Sequence, residues 1–230
     1  IYLFLFTYFY SPKITMVKKE HLLKESAVEH YAHMKYKVAV AGASETGHCN
    51  REALEIAMET GREIVRQNGV LLTGATNGIP HWAARGAKEE GGISIGLSPA
   101  ATEKAHIKTY HLPMNYFDLI IYTGFDYSGR NLLLTRSADA VIVICGRMGT
   151  LNEFTIAFED AKPIGVLEGT GGTADMIREI VARSHRGPGK IVYDSEPKRL
   201  LGKLLKLVKK EKVVLIKEES KNEKNRHKNS

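Results

Sequence analysis

The fold is decided by a short β-rich run that ends in a glycine loop, Lys37-Val38-Ala39-Val40-Ala41-Gly42-Ala43-Ser44-Glu45-Thr46-Gly47. A helical pattern follows at about 50–68, where apolar residues recur three and four positions apart and Asn50 is the predicted N-cap. A continuous apolar strand that leads through a glycine turn into a helix is typical of a βα unit. The stretch therefore predicts a parallel sheet with both faces buried.

The alternation of strands and helices continues to about residue 209. Further strands are predicted at 70–73, 93–97, 118–122, 140–144 and 164–167, with an edge strand at 191–193. Helices are predicted after Pro80 and at 127–138, 150–160, 173–183 and 196–209, and the stretch near 99–116 reads as irregular. Repeated βα units predict an α/β fold, a doubly wound, mostly parallel, Rossmann-like sheet in a single domain with helices on both faces.

Composition separates a folded body from two ends. The 230 residues are 43% apolar and 26% charged, an ordinary globular balance. Residues 1–35 are predicted to be a leader or N-terminal extension, and the apolar run at 1–10 is too short for the ~20 residues of a membrane span. A membrane-contact segment is the alternative for this run. Residues 36–210 form the predicted domain, and 211–230 a charged, disordered tail.

Charge and cysteine content exclude several classes of protein. The net charge of +7 lies at the ends, because residues 38–197 carry 15 basic and 19 acidic groups. This distribution disfavours nucleic acid as a partner.

The two cysteines, Cys49 and Cys145, lie far apart in sequence and outside any metal-binding spacing, so they are predicted to be unpaired apolar fillers in a reducing, cytoplasmic protein. No metal site is predicted.

Three glycine-rich loops follow predicted strands: the first is Gly42-Ala43-Ser44-Glu45-Thr46-Gly47, the second Thr73-Gly74-Ala75-Thr76-Asn77-Gly78 and the third Gly146-Arg147-Met148-Gly149-Thr150. In open parallel sheets ligands bind beyond the carboxyl ends of the strands, and free N–H groups at a helix start attract anions. The loops therefore predict a site for a phosphate-bearing ligand, although glycines that serve only tight turns are the alternative. The candidate binding residues are Gly42, Ser44, Gly74, Asn77, Gly78, Gly146, Arg147, Gly149 and Thr150.

Two common nucleotide sites are disfavoured by their motifs. The first loop lacks the GxGxxG spacing, and the second strand ends in Thr73-Gly74 where a ribose-binding acid would be expected for NAD. No loop is followed by the Gly-Lys-Ser/Thr of a P-loop. No cofactor is therefore predicted.

A carboxylate and a guanidinium flank the third loop in sequence. Glu153 lies one turn into the predicted helix, as a partner of the helix dipole or as a group that stabilises positive charge at an anomeric carbon. Arg130 lies at the start of the preceding helix, and its guanidinium is the better clamp for a phosphate than that of Arg136. His48, His81, His106 and His111 lack partners at a diagnostic spacing, so a catalytic histidine is not favoured.

Together these residues resemble the Lonely-guy (LOG) family, once mislabelled lysine decarboxylases, and the wider group that includes molybdenum-cofactor carrier proteins. The family pattern is an Arg followed fifteen positions later by Pro-Gly-Gly-x-Gly-Thr-x-x-Glu. Here Arg130 is followed at that spacing by Cys145-Gly146-Arg147-Met148-Gly149-Thr150-Leu151-Asn152-Glu153. The resemblance covers about 36–183.

The resemblance implies a nucleotide-binding homodimer. In the enzymatic members it implies hydrolysis of the N-glycosidic bond of a nucleoside 5′-monophosphate, with Arg130 and Glu153 as the catalytic pair and no cofactor. This sequence departs from the pattern, with Cys145 in place of Pro, Arg147 in place of the second Gly and Asn131 in place of the Lys of plant-type hydrolases. The alternative is therefore a non-catalytic binder or carrier of a phosphorylated, nucleotide-like cofactor.

Overall fold

The protein contains a seven-stranded, all-parallel sheet. The structure, a computed structural model, describes the backbone of residues 34–226 and the side chains of residues 34–212. Across the sheet the strands follow the order β4-β3-β2-β1-β5-β6-β7. Their bounds are β1 Tyr36–Gly42, β2 Gly69–Thr73, β3 Ser94–Ser98, β4 Leu119–Tyr122, β5 Ala140–Ile144, β6 Ile164–Leu167 and β7 Ile191–Asp194.

Helices connect successive strands and lie on both faces of the sheet. Their bounds are α1 Ala53–Arg66, α2 Ile79–Glu89, α3 Glu103–Lys108, α4 Asp126–Ser137, α5 Met148–Glu159, α6 Ile177–Arg183 and α7 Pro197–Arg226. A 3₁₀ turn, Gly172–Met176, precedes α6. The predicted α/β, doubly wound parallel fold in a single domain is confirmed.

Alternate residues of each central strand enter two separate cores. In β1, Val38 and Val40 pack in one core with α1, α2 and α7, while Ala39 and Ala41 face the opposite core. Helix α7 contributes four buried leucines to the first core: Leu200, Leu201, Leu204 and Leu205. That second core contains Leu134 of α4 and buried residues of α5 and α6. Burial on both faces explains why these strands read as continuous apolar runs.

The strand order reverses direction between β1 and β5. Strands β2 to β4 extend to one side of β1, and β5 to β7 extend to the other, with Gly42 in register with Ile144 at the carboxyl ends. The chains leaving β1 and β5 therefore diverge to opposite faces, and this opens a crevice at the edge of the sheet. The loop at 43–50, the loop at 145–147 and the start of α5 meet at this crevice.

Local structure differs from the predictions at three places. The short helix α3 lies in the stretch predicted to be irregular; Thr102 caps it by accepting a hydrogen bond from the Ala105 N–H at 3.1 Å. Asn50 is not the N-cap of α1, because Glu52 occupies that position and the Asn50 amide instead donates to the Gly169 carbonyl. Helix α7 continues to Arg226, over residues predicted to lack structure, in line with their many good helix formers.

The predicted ends of the domain are only partly described. Residues 1–33, which hold nearly all of the predicted leader and the apolar run at 1–10, lie outside the described residues. Among residues 34–226, none of the helices combines the length and apolar content that a bilayer crossing requires.

The prediction of unpaired cysteines is wrong. Cys49 and Cys145 form a disulfide, with their Cα atoms 5.7 Å apart and 96 positions between them in sequence. The physical reason is the topology: β1 pairs directly with β5, so the loops that follow these strands lie side by side. Sequence spacing alone carries no information about that adjacency.

Candidate functional site

A cleft of about 320 Å³ opens at the crevice between β1 and β5. Its size is at the lower end of the range of small-molecule sites. Residues from β1, the three glycine loops and the helices α2, α4 and α5 line it: Val40, Gly42, Ala43, Ser44, Gly74, Thr76, Pro80, Tyr127, Arg130, Asn131, Arg147, Gly149, Thr150 and Glu153.

Arg130 and Glu153 form a buried ion pair in the cleft wall. Nη1 of Arg130 donates to Oε1 of Glu153 at 3.0 Å, and each side chain is only 7% exposed. Burial raises the pKa of Glu153, and the positive charge of Arg130 partly opposes that rise. Burial also lowers the pKa of Arg130, but a guanidinium starts so high that it stays protonated. The cleft therefore holds a fixed positive group beside a carboxyl group whose protonation burial favours.

Asn131 gives the carboxylate a second hydrogen bond. Its amide is assigned with the nitrogen toward Glu153, because that orientation donates to Glu153 Oε1 at 3.0 Å and to the Tyr127 carbonyl at 2.9 Å. Both bonds reach Oε1, and within residues 34–212 no hydrogen bond reaches Oε2. One oxygen of Glu153 is thus fixed by the protein, and the other stays available to a ligand.

The guanidinium of Arg130 lies against the second glycine loop. A Cβ at Gly74 would lie 1.9 Å from Arg130 Nη1, so a glycine at this position makes room for the arginine. The Nε of Arg130 is buried and has no hydrogen-bond partner among the described residues. A buried donor without a partner is costly, so the guanidinium of Arg130 has unused hydrogen-bonding capacity next to the cleft.

Arg147 stands at the mouth of the cleft and does not block it. Its Nη2 pairs with Oε2 of Glu45 at 2.5 Å, and both side chains are exposed. The third loop then enters α5, a twelve-residue helix whose first residues include Gly149 and Thr150. Gly149 has open space where a Cβ would be, so its backbone is accessible from the cleft.

Most of the predicted site residues meet in the cleft, and three do not. Arg130, Glu153, Gly42, Ser44, Gly74, Arg147, Gly149 and Thr150 line it. Asn77, Gly78 and Gly146 lie outside the lining. Gly78 has a φ of 67° and packs against the carbonyls of the first loop, and Gly146 packs against the Thr150 side chain. The positive φ of Gly78 and the close packing of both glycines are requirements of the turns themselves, so ligand contact by these residues stays a prediction.

The lining also contains residues that we did not predict as ligand contacts. Tyr127 and Asn131 come from the first turns of α4, Thr76 lies within the second loop, and Pro80 lies in the first turn of α2. Tyr127 lies three positions before Arg130 and Asn131 one position after it, so the same end of α4 brings all three residues to the cleft. Their closeness to Arg130 on a predicted helix was the signal by which the sequence could have identified them.

Within residues 34–212, no histidine lines the cleft. His106 is buried and pairs with Ser98 Oγ at 2.8 Å and with the Pro113 carbonyl at 3.0 Å, so it fixes a loop. Burial lowers the pKa of His81, with a smaller effect from nearby Arg85. His48 lies beside the disulfide, with Nε2 3.6 Å from Cys145 Sγ.

Comparisons with known proteins agree with the fold described above. The model of the SLOG cluster4 family matches residues 35–201. An uncharacterized protein of Archaeoglobus fulgidus is 29% identical over 132 residues, which are 57% of this chain and 80% of the relative.

Two solved structures share the fold over nearly their whole length. The X-ray structure of TM1055 superposes with a TM-score of 0.64 and 25% identity, covering 75% of this chain and 99% of that one. The molybdenum cofactor binding protein of Rippkaea orientalis superposes with a TM-score of 0.61 and 28% identity, covering 77% and 98%.

Proposed function

The chain belongs to the SLOG cluster4 family, and from this premise we propose that its cleft binds a phosphorylated, nucleotide-like small molecule by the phosphate. One observation carries the proposal: Arg130 is buried at the cleft, donates to Glu153 and leaves its Nε without a partner. A guanidinium is suited to a phosphate because it offers several N–H groups in one plane. The first amides of α5, at Gly149 and Thr150, supply a helix N-terminus for the same anion.

With a nucleoside 5′-monophosphate as ligand, we propose hydrolysis of the N-glycosidic bond. Departure of the base leaves positive charge on the ribose, and the Glu153 carboxylate stabilises that charge and orients the attacking water. Arg130 and Asn131 hold Oε1 in place, so that Oε2 is the oxygen that acts. A carboxyl group whose pKa is raised by burial is suited to exchange a proton nearer neutral pH.

The second candidate is binding of a phosphorylated cofactor without catalysis. It is favoured by Arg147, which puts a long cation at the cleft mouth, and by the similarity to a molybdenum cofactor binding protein. In this case Glu153 keeps Arg130 in position, and the ligand leaves unchanged.

The experiment is a titration of the purified chain with AMP, followed by chromatography for free adenine. Wild type is expected to bind AMP and release adenine, and Glu153→Gln to bind AMP without release. Glu159→Gln, at the exposed far end of α5, is the matched control and should match wild type. Binding without release by wild type would favour the carrier function. Failure of both AMP and a molybdopterin ligand to bind or to raise the melting temperature would contradict both candidates.

We further propose that the protein is a homodimer. Apolar side chains are exposed around α4 and on the edge strand β4, among them Phe125, Leu133, Leu119 and Ile121. Exposed apolar surface of this kind is typical of a subunit interface. Light scattering coupled to size exclusion should give the mass of two chains, and Leu133→Glu should give the mass of one. A wild-type monomer at micromolar concentration would contradict the proposal.

A further inference from the structure

The Cys49–Cys145 disulfide and the imidazole of His48 lie together next to the third loop. Sγ of Cys145 lies 3.6 Å from His48 Nε2, and the ligand atoms of His48, Cys49 and Cys145 all lie within 4.8 Å of one another. None of the three residues lines the cleft. The cluster is therefore separate from the site described above.

We propose that, when the disulfide is reduced, Cys49, Cys145 and His48 bind one Zn²⁺ ion. This inference goes beyond the proposed function and does not depend on it. The two thiolates and the imidazole are the donor set that zinc prefers.

The distances fit tetrahedral zinc. Zn–S bonds of about 2.3 Å and Zn–N bonds of about 2.0 Å put neighbouring S and N ligands about 3.5 Å apart and two S ligands about 3.8 Å apart. The Cys145 Sγ to His48 Nε2 distance is already 3.6 Å. The two sulfur atoms have to separate, and rotation about the Cα–Cβ bonds allows this without a change in the 5.7 Å Cα separation. The same rotation adjusts the distance from Cys49 Sγ to His48, which is at most 4.8 Å in the disulfide form.

Backbone contacts hold the two cysteines together independently of the disulfide. Cys49 forms a β-bridge with Gly171, and the Asn50 N–H donates to the Thr170 carbonyl at 3.1 Å. The Cys145 N–H donates to Thr170 Oγ1 at 2.8 Å, and its carbonyl accepts from the Ala174 N–H at 2.8 Å. Both loops are thus attached to the same segment, 170–174. The thiols therefore stay adjacent after reduction, and a preformed pair is what a metal site requires.

Reduction of the disulfide and binding of Zn²⁺ are two separate steps. A thiol or phosphine reductant supplies two electrons, and the disulfide takes up two protons to become two thiols. Zn²⁺ displaces one proton from each thiol and accepts the lone pair of His48 Nε2. That nitrogen lies 3.2 Å from the Gly146 carbonyl, so on zinc binding its proton moves to Nδ1 and this contact is given up. His48 is exposed and Cys49 half-buried, so water reaches the fourth position.

The test is a zinc titration of untagged, chelator-stripped protein that has been reduced with a phosphine under nitrogen. A thiol count of two per chain first confirms reduction, since the chain has two cysteines. Zinc is then added in competition with a chromophoric chelator, and Co²⁺ is used in parallel to show thiolate-to-metal charge transfer. We expect one Zn²⁺ per reduced chain and none for the disulfide form.

Variants separate the proposed site from adventitious binding. Cys49→Ser, at the half-buried position, should abolish stoichiometric binding with the fold intact by circular dichroism. His48→Ala should weaken affinity by about tenfold or more, at least the cost of losing an outer-shell partner. His111→Asn is the control and should bind like wild type, because it removes an imidazole elsewhere and asparagine tolerates the φ of 52° there. Reduced wild type that leaves zinc on the competitor, or variants that bind as tightly as wild type, would overturn the proposal.

Discussion

Arg130 Nη1 donates to Glu153 Oε1 at 3.0 Å across the wall of the cleft, and the two residues are 23 positions apart in sequence. Both side chains are almost fully buried. Helix α4 supplies the arginine and α5 the glutamate, so the pair connects two helices that lie on one face of the sheet. The same two groups are therefore important for the stability of the fold and for the proposed ligand chemistry.

The buried pair predicts a large stability loss when one partner is removed. Glu153→Ala should lower the free energy of unfolding by about 3–5 kcal/mol, because it leaves the Arg130 charge buried and uncompensated. Urea denaturation measures this change. Asp160→Asn, which breaks the exposed pair with Arg136, is the control and should cost below about 1 kcal/mol. Equal losses in the two variants would show that the 130–153 pair is not desolvated.

Gly74 is predicted to control the position of Arg130. In Gly74→Ala the new methyl group would occupy the space of the guanidinium, 1.9 Å from Nη1, so Arg130 must move out of position. AMP binding, measured by calorimetry, should weaken by about tenfold or more, as expected for loss of a charge-assisted hydrogen bond. Gly47→Ala has open space around the new Cβ and should bind like wild type. Unchanged binding by Gly74→Ala would mean that Arg130 does not contact the ligand.

The Glu45–Arg147 pair at the cleft mouth predicts a gain in affinity. Glu45→Gln should strengthen AMP binding a few-fold, because Arg147 no longer has a protein carboxylate as its partner. The gain should shrink in high salt, since both side chains are exposed. Calorimetry at two ionic strengths measures both effects. Glu168→Gln is the control, because it removes the carboxylate partner of Arg178, which does not line the cleft, and it should bind AMP like wild type. Weaker AMP binding by Glu45→Gln would contradict a phosphate contact from Arg147.

The disulfide predicts a redox-dependent stability. Reduction in the presence of EDTA should lower the free energy of unfolding by about 3–5 kcal/mol, because the bond constrains an unfolded loop of roughly 100 residues. Denaturant titrations with and without reductant measure the difference. The double variant Cys49→Ser/Cys145→Ser should show no dependence on reductant. A wild type equally insensitive would contradict the disulfide.

The ion pairs of Asp194 lead us to expect that the free energy of unfolding falls in acid. Its carboxylate accepts hydrogen bonds from Arg199 and Lys203 at the start of α7, and these hold its pKa well below the usual value. Because the pKa is lower in the folded state, the contribution is present above the unfolded-state pKa of about 4 and is lost as the pH falls below it. Asp194→Asn should therefore destabilise at pH 7 and have a smaller effect near pH 3. In a background with Arg199 and Lys203 both replaced by Met, this pH dependence should shrink.

Much of the fold could be predicted because its signals are local. Apolar runs such as Val38–Ala41 and Val141–Ile144 fix strands buried on both faces, and the glycines after them mark the loops at the ligand edge. The short helix α3 was missed because its cap, Thr102, was the main local signal in a stretch without clear periodicity.

The candidate site was predictable to the extent that it follows from one helix or one loop. Arg130, Gly149 and Glu153 lie at a recognisable spacing, and the parallel topology brings loops after neighbouring strands to one edge. Asn77, Gly78 and Gly146 were predicted as ligand contacts because the sequence of a glycine loop is the same whether its residues allow a tight turn or contact a phosphate. The packing of Gly78 on the first loop and of Gly146 on Thr150 is a feature of the tertiary structure, and it shows the part that these two glycines have in the turns.

By itself the sequence determined the helices and strands, their alternation and the sheet edge that carries the candidate cleft, because hydrophobic periodicity and turn residues act over a few positions. The tertiary structure alone decided which distant side chains meet. The Cys49–Cys145 bond, the hydrogen bond of Arg130 to Glu153 and the support from Asn131 all depend on strand order and helix packing. These contacts join residues brought together by the pairing of β1 with β5 and by the packing of α4 on α5, and no local pattern encodes them.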